Sequence, residues 1–277
     1  MTKIGILHPG EMGISVAASA INNEHQVLWA SENRSDKTRI RAEKHGLIEL
    51  DSLVELCQIC EIIFCICPPH AAEDVANSVI EHGFNGYYLD ANAISPQRAI
   101  KIGQMMETAG ISLVDGGVIG GPAWRPKETF LYLSGKDANI IADCFTSGAL
   151  ETKIIGDEIG KASALKMCYA AYSKGTTALL AAILAAAESL DVRAELYQQW
   201  DMDNSNFSEQ ANRRVTRAIA KAWRFDGEMH EIAATFQEAG LPKGFHEAAA
   251  EIFHRMENFK DAAESPKLED VLNALLQ

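Results

Sequence analysis

The chain has 277 residues, 47% hydrophobic and 23% charged, a globular balance with room for two domains of ordinary size and a core that needs no disulfide staples. With 38 acidic against 25 basic residues its formal net charge is -13, which argues against nucleic acid or an anionic membrane surface as a partner. The opening MTKIGILHPGEMG ends its short apolar run at Pro9 and Gly10, unlike a secretory signal. TTALLAAILAAA falls short of the roughly 18 apolar residues of a membrane span, so a cytoplasmic location is expected.

In chain order, KIGIL predicts a strand and GISVAASAINN a helix. QVLWA predicts a strand, and KTRIRAEKHG a helix ending at Gly46. EIIFCIC reads as a buried strand, with a helix through AAEDVANSVIEHG ending at Gly83. GYYLDAN, SLVDGGVIG and ETFLYLSG read as further strands, and PQRAIKIGQMMETAG as a helix ending at Gly110. Glycine just past a helix end supplies the left-handed cap. Strands alternating with helices predict an α/β fold, a Rossmann-type doubly wound parallel sheet.

After about Gly156 the pattern is helical only. Lys161–Leu190 reads as one long Ala-rich helix, apolar nearly all round, which points to burial in a core or between subunits. Further helices are expected near 194–200, 205–223, 229–239, 245–257 and 268–276. The expected domains are 1–157, dinucleotide-binding, and 158–277, helical, with no flexible linker between them.

Six cysteines include a CxxC (Cys57, Cys60) and a CxC (Cys65, Cys67). Zinc needs four ligands converging from suitable turns. Here one pair lies on a strand and the other on the preceding helix, so they read as apolar thiols of a reducing compartment and no metal site is expected.

The junction of the first strand and first helix reads HPGEMG: His8, Pro9, Gly10, Glu11, Met12, Gly13. A dinucleotide fingerprint GxGxxG belongs at this junction, where glycines let backbone amides and the helix dipole approach a pyrophosphate. His8 stands in place of the first glycine. Beyond the second strand, SENRSDKTR offers Ser31, Arg34 and Ser35, a hydroxyl and guanidinium set suited to a 2'-phosphate, with Lys37 and Arg39 behind them. Glu32 is the acid that would suit an unphosphorylated ribose. The expectation is NADP, with NAD the alternative.

PGEMG, CPPH, DANAISP, DGGVIGG and GKASALK follow the order seen in β-hydroxyacid dehydrogenases, the group of 3-hydroxyisobutyrate and 6-phosphogluconate dehydrogenases. The chain resembles that group over essentially its whole length, and within it a branch with a shortened helical domain containing KMCYAAYSKG and GLPKGFHEAAAEI. The resemblance implies that Cys67, Pro68, Pro69 and Asn92 pack against the nicotinamide ribose. It implies a substrate site at Gly117, Ile119, Gly120 and Gly121, where Ile119 replaces the family's serine; with Trp124 nearby, this points to a bulkier or less polar substrate. It implies that Lys166 passes the substrate's hydroxyl proton. Ala170 replaces the family's asparagine, and Tyr169, Tyr172 or Lys174 would take over its hydrogen bond. Glu228 and His246 are weaker candidates, as is an anion contact at Arg213–Arg214; a histidine among acids on a helix reads first as a surface residue.

The leading expectation is reversible hydride transfer between nicotinamide and a hydroxy-acid-like alcohol or carbonyl. The alternatives are imine reduction, whose enzymes share this architecture but usually lack the lysine, and a cofactor-binding protein without catalysis. Small-molecule substrate apart, the expected partner is a second copy of the chain, paired through the helical domain.

Overall fold

The computed structural model describes residues 1–260 and 266–277, in two compact units, Met1–Met167 and Cys168–Gln277.

The first unit is built on eight strands: β1 (Lys3–Leu7), β2 (Gln26–Ala30), β3 (Ile48–Leu50), β4 (Ile62–Cys65), β5 (Tyr87–Asp90), β6 (Ser112–Ile119), β7 (Thr129–Ser134) and β8 (Leu150–Ile154). They form one sheet in the order β3-β2-β1-β4-β5-β6-β7-β8. Its helices are α1 (Glu11–Ile21), α2 (Asp36–Lys44), α3 (Leu53–Ile59), α4 (Ala72–Glu81), α5 (Pro96–Thr108), α6 (Ala138–Ala142) and α7 (Lys161–Ala170). From β3 to β6 every pairing is parallel, and the order reverses between β1 and β4, so the Rossmann-type fold expected from the sequence is present. Alternate residues of one strand point to opposite faces. Ile62 and Phe64 of β4 join one core cluster, and Ile63 and Cys65 the other. Burial on both faces is why these strands read as continuous apolar runs.

Three features depart from the expected pattern. β7 runs antiparallel to β6, because the connection 120–128 contains no helix and a parallel return needs a crossover of a dozen or more residues. β3 and β8 were not foreseen. β3 has three residues, two of them exposed, and the end of β8 is exposed too, so neither carries the apolar signal of a buried strand.

The long helix spans Lys161–Ser189 and is long and apolar enough, by length and composition alone, to cross a membrane; half of its most apolar stretch is buried within the protein. It is not uniform. After α7 comes a π-helical turn, Ala171–Gly175, and then α8 (Thr176–Ser189). The first unit ends inside this helix, ten residues beyond the boundary read from composition.

α7 is fastened to the sheet by one carboxylate. Asp115 of β6 is fully buried. Its Oδ2 accepts from Gly160 N (2.9 Å), Ser163 N (3.0 Å) and Ser134 Oγ (3.1 Å), and its Oδ1 from Ser163 Oγ (2.6 Å). Ser134 Oγ in turn accepts from Ala162 N at 3.1 Å. The unpaired amides of a helix start want an acceptor, and a negative charge complements the dipole there. Asp115 provides both from a neighbouring strand. Close packing completes the joint: a Cβ on Gly117 would lie 2.6 Å from the Ala162 carbonyl oxygen and 3.2 Å from Lys166 Cβ.

The second unit consists of α8 with α9 (Arg193–Asp203), α10 (Phe207–Ile219), α11 (Ala222–Glu238), α12 (Gly244–His254) and α13 (Leu268–Leu275). The stretch 205–223, read as one helix, breaks after Ile219, and its last residues open α11.

Candidate functional site

In an open parallel sheet, ligands bind beyond the carboxyl ends of the strands, beside the point where strand order reverses. The candidates of the first unit gather there: His8–Gly13 after β1, Ser31–Ser35 after β2, Cys67–Pro69 after β4, Asn92 after β5, and Gly120–Gly121 after β6.

The turn after β1 is shaped for a phosphate. Gly10 is the N-cap of α1 and provides no side-chain cap, leaving the first amides of Glu11, Met12 and Gly13 to an outside acceptor. A Cβ on Gly13 would stand 2.5 Å from the His8 carbonyl oxygen, so only glycine lets helix and turn approach this closely. The Pro9 carbonyl accepts from Arg41 Nη1 at 3.3 Å. Ser15 Oγ donates to the Met12 carbonyl (2.8 Å) and accepts from Ala123 N (2.9 Å), joining α1 to the loop beyond Gly121.

His8 holds the position a glycine would favour, at φ 66°, a left-handed conformation that costs a non-glycine residue about 1–2 kcal/mol. Burial, aided by the Arg34 charge, lowers its pKa to about 4. The imidazole is neutral at pH 7, and its Nδ1 is buried with no hydrogen-bond partner. A cavity of about 290 Å³ opens beside it, with Glu32, Asn33 and Arg34 on one wall and Asp74 and Ser78 of α4 on the other. Arg34 thus lines this cavity. The two serines do not share that wall. Ser31 is buried, and Ser35 caps α2, its hydroxyl accepting from Thr38 N. A serine one residue before a helix is the usual cap, and that need explains Ser35 better than phosphate binding does.

Asn92 is equally occupied. Its Oδ1 accepts from Cys67 N at 2.6 Å, and its own N–H donates to Asp90 Oδ1 at 3.0 Å. It ties the ends of β4 and β5 together, holding the Cys67–Pro68–Pro69 loop rather than projecting toward a ligand. Asp90 is fully buried, and desolvation raises its pKa to about 7. Cys65 and Cys67 lie with their sulfurs 3.8 Å apart.

Beyond β6, the predicted substrate residues divide by role. Gly117 packs closely under α7. Gly120 takes φ 126° in the turn, where a Cβ would meet the Glu128 carbonyl oxygen at 2.5 Å. Gly121 has open space around its Cα. Ile119 is half-buried and pairs with Phe130. Trp124 stacks on His45 with centroids 4.9 Å apart, so its ring is already engaged.

Lys166 is half-buried on α7, and its ammonium donates to the Val118 carbonyl near the end of β6. Of the expected apolar flank, Met167 is buried but Leu165 is exposed.

In the second unit, Tyr169 and Tyr172 are exposed. Lys174 pairs with Glu228 and lies over the Phe225 ring at 4.8 Å. His246 is buried rather than a surface residue, packed edge-on to Phe236 and Phe245. Burial lowers its pKa.

Sequence reasoning passed over Asp115 and Asp90. The signal for Asp115 was available in part: an acid inside a largely apolar strand together with a serine two residues into α7.

A family profile described as the NAD binding domain of 6-phosphogluconate dehydrogenase matches residues 3–146, and one described as a domain of unknown function (DUF1932) matches residues 187–256. The chain belongs to the first of these families. An uncharacterized 28.5 kDa protein of Methanothermus fervidus is 28% identical over 83% of this chain and 89% of its own length. The solved structure of MTH1747, a conserved protein of unknown function similar in structure to 3-hydroxyacid dehydrogenases, is 25% identical over 92% of this chain and 97% of its own, with a TM-score of 0.68. The 3-hydroxyisobutyrate dehydrogenase of Salmonella typhimurium shares the fold at 17% identity, 99% of each chain and a TM-score of 0.72. An imine reductase of Bacillus cereus shares it at 18% identity, the full length of both chains and a TM-score of 0.57. Membership of the family establishes an NAD(P)-binding domain of the 6-phosphogluconate dehydrogenase type.

The depressed His8 pKa has a consequence for stability. Between pH 6.5 and about 4 the unfolded chain binds a proton here that the native chain refuses. This contribution is present above pH 6.5 and is lost as pH falls through about 4, to a total of about 3 kcal/mol. Asp90, raised to about 7, acts in the opposite sense over this range, so the test is the difference from His8→Asn, a residue that tolerates the left-handed conformation. In urea unfolding, the stability of the wild type relative to His8→Asn should fall by about 2–3 kcal/mol between pH 7 and the acid end. Parallel curves would show that His8 is not buried in its neutral form.

Proposed function

We propose that this chain is an NADP-dependent oxidoreductase that interconverts an alcohol and a carbonyl in a hydroxy-acid-like substrate, with Lys166 as the proton-transfer residue. The observation that carries the reading is the position of Lys166 in the first unit, where the Asp115 latch and the hydrogen bond to Val118 hold its amine at the carboxyl edge that also carries the phosphate turn.

The uncapped start of α1 and the close approach at Gly13 fit a pyrophosphate, which the amides of Glu11, Met12 and Gly13 would hold. Arg34 would bind a 2'-phosphate, and the loop Cys67–Pro69, fixed by Asn92, would bound the nicotinamide ribose. A bound nicotinamide supplies the hydride acceptor or donor. Lys166 handles the other half of the chemistry. In oxidation, its neutral amine takes the proton from the substrate hydroxyl as the carbon–oxygen double bond forms. In reduction, the ammonium returns that proton to the carbonyl oxygen. The Val118 carbonyl orients the amine at the end of β6. Ile119 offers no hydroxyl to a substrate carboxylate, which favours substrates with a less polar body. A lysine suited to an oxygen-bound proton sets the hydroxy-acid reading above imine reduction, the reading that the shared fold leaves open.

Lys166→Met retains the length of the side chain and removes the amine. Turnover in either direction should fall by about 10²–10⁴-fold, with cofactor affinity unchanged. Activity above about a tenth of wild type would refute the assignment.

For the cofactor, the expectation rests on Arg34. A charge-assisted hydrogen bond contributes about 1.5–3 kcal/mol, or roughly 10–100-fold in affinity. Fluorescence titration should show NADPH bound more tightly than NADH by that factor, and Arg34→Ala should abolish the difference. Equal affinities in the wild type, or a preference that survives in Arg34→Ala, would reassign the cofactor to NAD, with Glu32 on the ribose.

A further inference from the structure

The helical unit has a polar feature that hydride transfer does not use. The π-helical turn Ala171–Gly175 breaks the regular ladder of the long helix, and such turns recur at functional sites because they release backbone carbonyls. Here Arg214 of α10 takes up the released groups. Its Nη2 donates to the Ser173 carbonyl (2.7 Å), the Tyr172 carbonyl (3.5 Å) and Thr176 Oγ1, and its Nε to Thr177 Oγ1 (2.7 Å). Every one of these partners is neutral. Among the described residues no carboxylate pairs with Arg214, half-buried as it is, or with Arg217 three residues on along the same helical face. A partly desolvated cation held only by neutral groups keeps its attraction for an anion.

Both guanidinium groups line one cavity of about 270 Å³ within this unit, together with Lys174. Glu228 offsets the Lys174 charge, which leaves two uncompensated positive charges at the cavity in a protein of net charge -13. The remaining wall is aromatic. Phe225 and Phe253 line it and meet edge to face, with centroids 5.2 Å apart. The space has room for a compact ring bearing one acidic group.

We propose that this cavity binds a small organic carboxylate, with the carboxylate on Arg214 and Arg217 and a compact apolar body against Phe225 and Phe253. The planar guanidinium of Arg217 matches a carboxylate with paired hydrogen bonds, Arg214 adds its charge and its remaining Nη1 hydrogens, and the rings provide a surface that excludes water from them. The site is complete within the helical unit and does not depend on a nicotinamide cofactor.

The test uses the full-length chain without nucleotide and 4-fluorobenzoate as probe, followed by ¹⁹F NMR. Saturable broadening or shift is expected, with 4-fluorobenzamide, its neutral counterpart, binding at least about tenfold more weakly. Arg217→Gln, an exposed substitution, should weaken 4-fluorobenzoate about 10–100-fold. Lys166→Met should bind it as the wild type does, which separates this site from the sheet edge. An unperturbed probe signal, equal binding of benzoate and benzamide, full affinity in Arg217→Gln, or loss of binding in Lys166→Met would each overturn the proposal.

Discussion

The arrangement at the sheet edge depends on one buried carboxylate. Asp115 sits inside β6, where burial raises its pKa despite the pull of Ser163, Ser134 and Gly160. An unpaired charge in that position would be strongly destabilising. The start of α7 satisfies it, and in return the carboxylate satisfies amides that a helix start cannot bond internally. Each cancels the other's desolvation, so strand and helix hold in one register. Lys166 lies less than one turn beyond Ser163, and its amine meets the strand again at Val118. The same joint explains Gly117, where any side chain would force α7 away from β6.

The edge is organised by a division of labour between groups that hold and groups that remain available. Asn92, Ser35, Arg41 and Ser15 spend their polar atoms on the protein's own backbone. What they leave available are the first amides of α1 and Arg34, while the amine of Lys166 is oriented by the Val118 carbonyl. The left-handed strain at His8 belongs to this pattern. The turn needs a positive φ, and the imidazole that meets it closes one side of the cavity in its neutral form, beside Arg34.

Much of this was legible in the sequence, for reasons that can be traced. Strands buried on both faces, such as β4, announce themselves as continuous apolar runs, and Gly46, Gly83 and Gly110 mark where helices stop, each at positive φ. β3 and β8 lack that signal because they are exposed. The reversal of β7 followed from the length of a connection rather than from any residue in the strand. At the site, Gly10, Gly13, Arg34 and Lys166 were singled out because their chemistry is local or carried by an ordered motif. Ser35 and Asn92 were read as ligand-facing because a hydroxyl or amide in sequence does not reveal whether a backbone group already occupies it, and Ser31 because its burial does not show in the sequence. Asp115 was missed for the opposite reason: its partners lie 19 to 48 residues away, and only the folded sheet brings them together.

The Asp115 carboxylate fixes the start of α7 and, through it, Lys166. Hydrogen exchange of the native protein measures this at single amides. In Asp115→Asn an N–H₂ replaces one acceptor oxygen, so the amides of Gly160 and Ser163 lose a charge-assisted acceptor contributing about 1.5–3 kcal/mol. Their exchange should accelerate about 10–100-fold, while the amides of β1 retain wild-type protection. Unchanged protection at Gly160 and Ser163 in Asp115→Asn would contradict the account, since the helix would then be held in place by something other than this carboxylate.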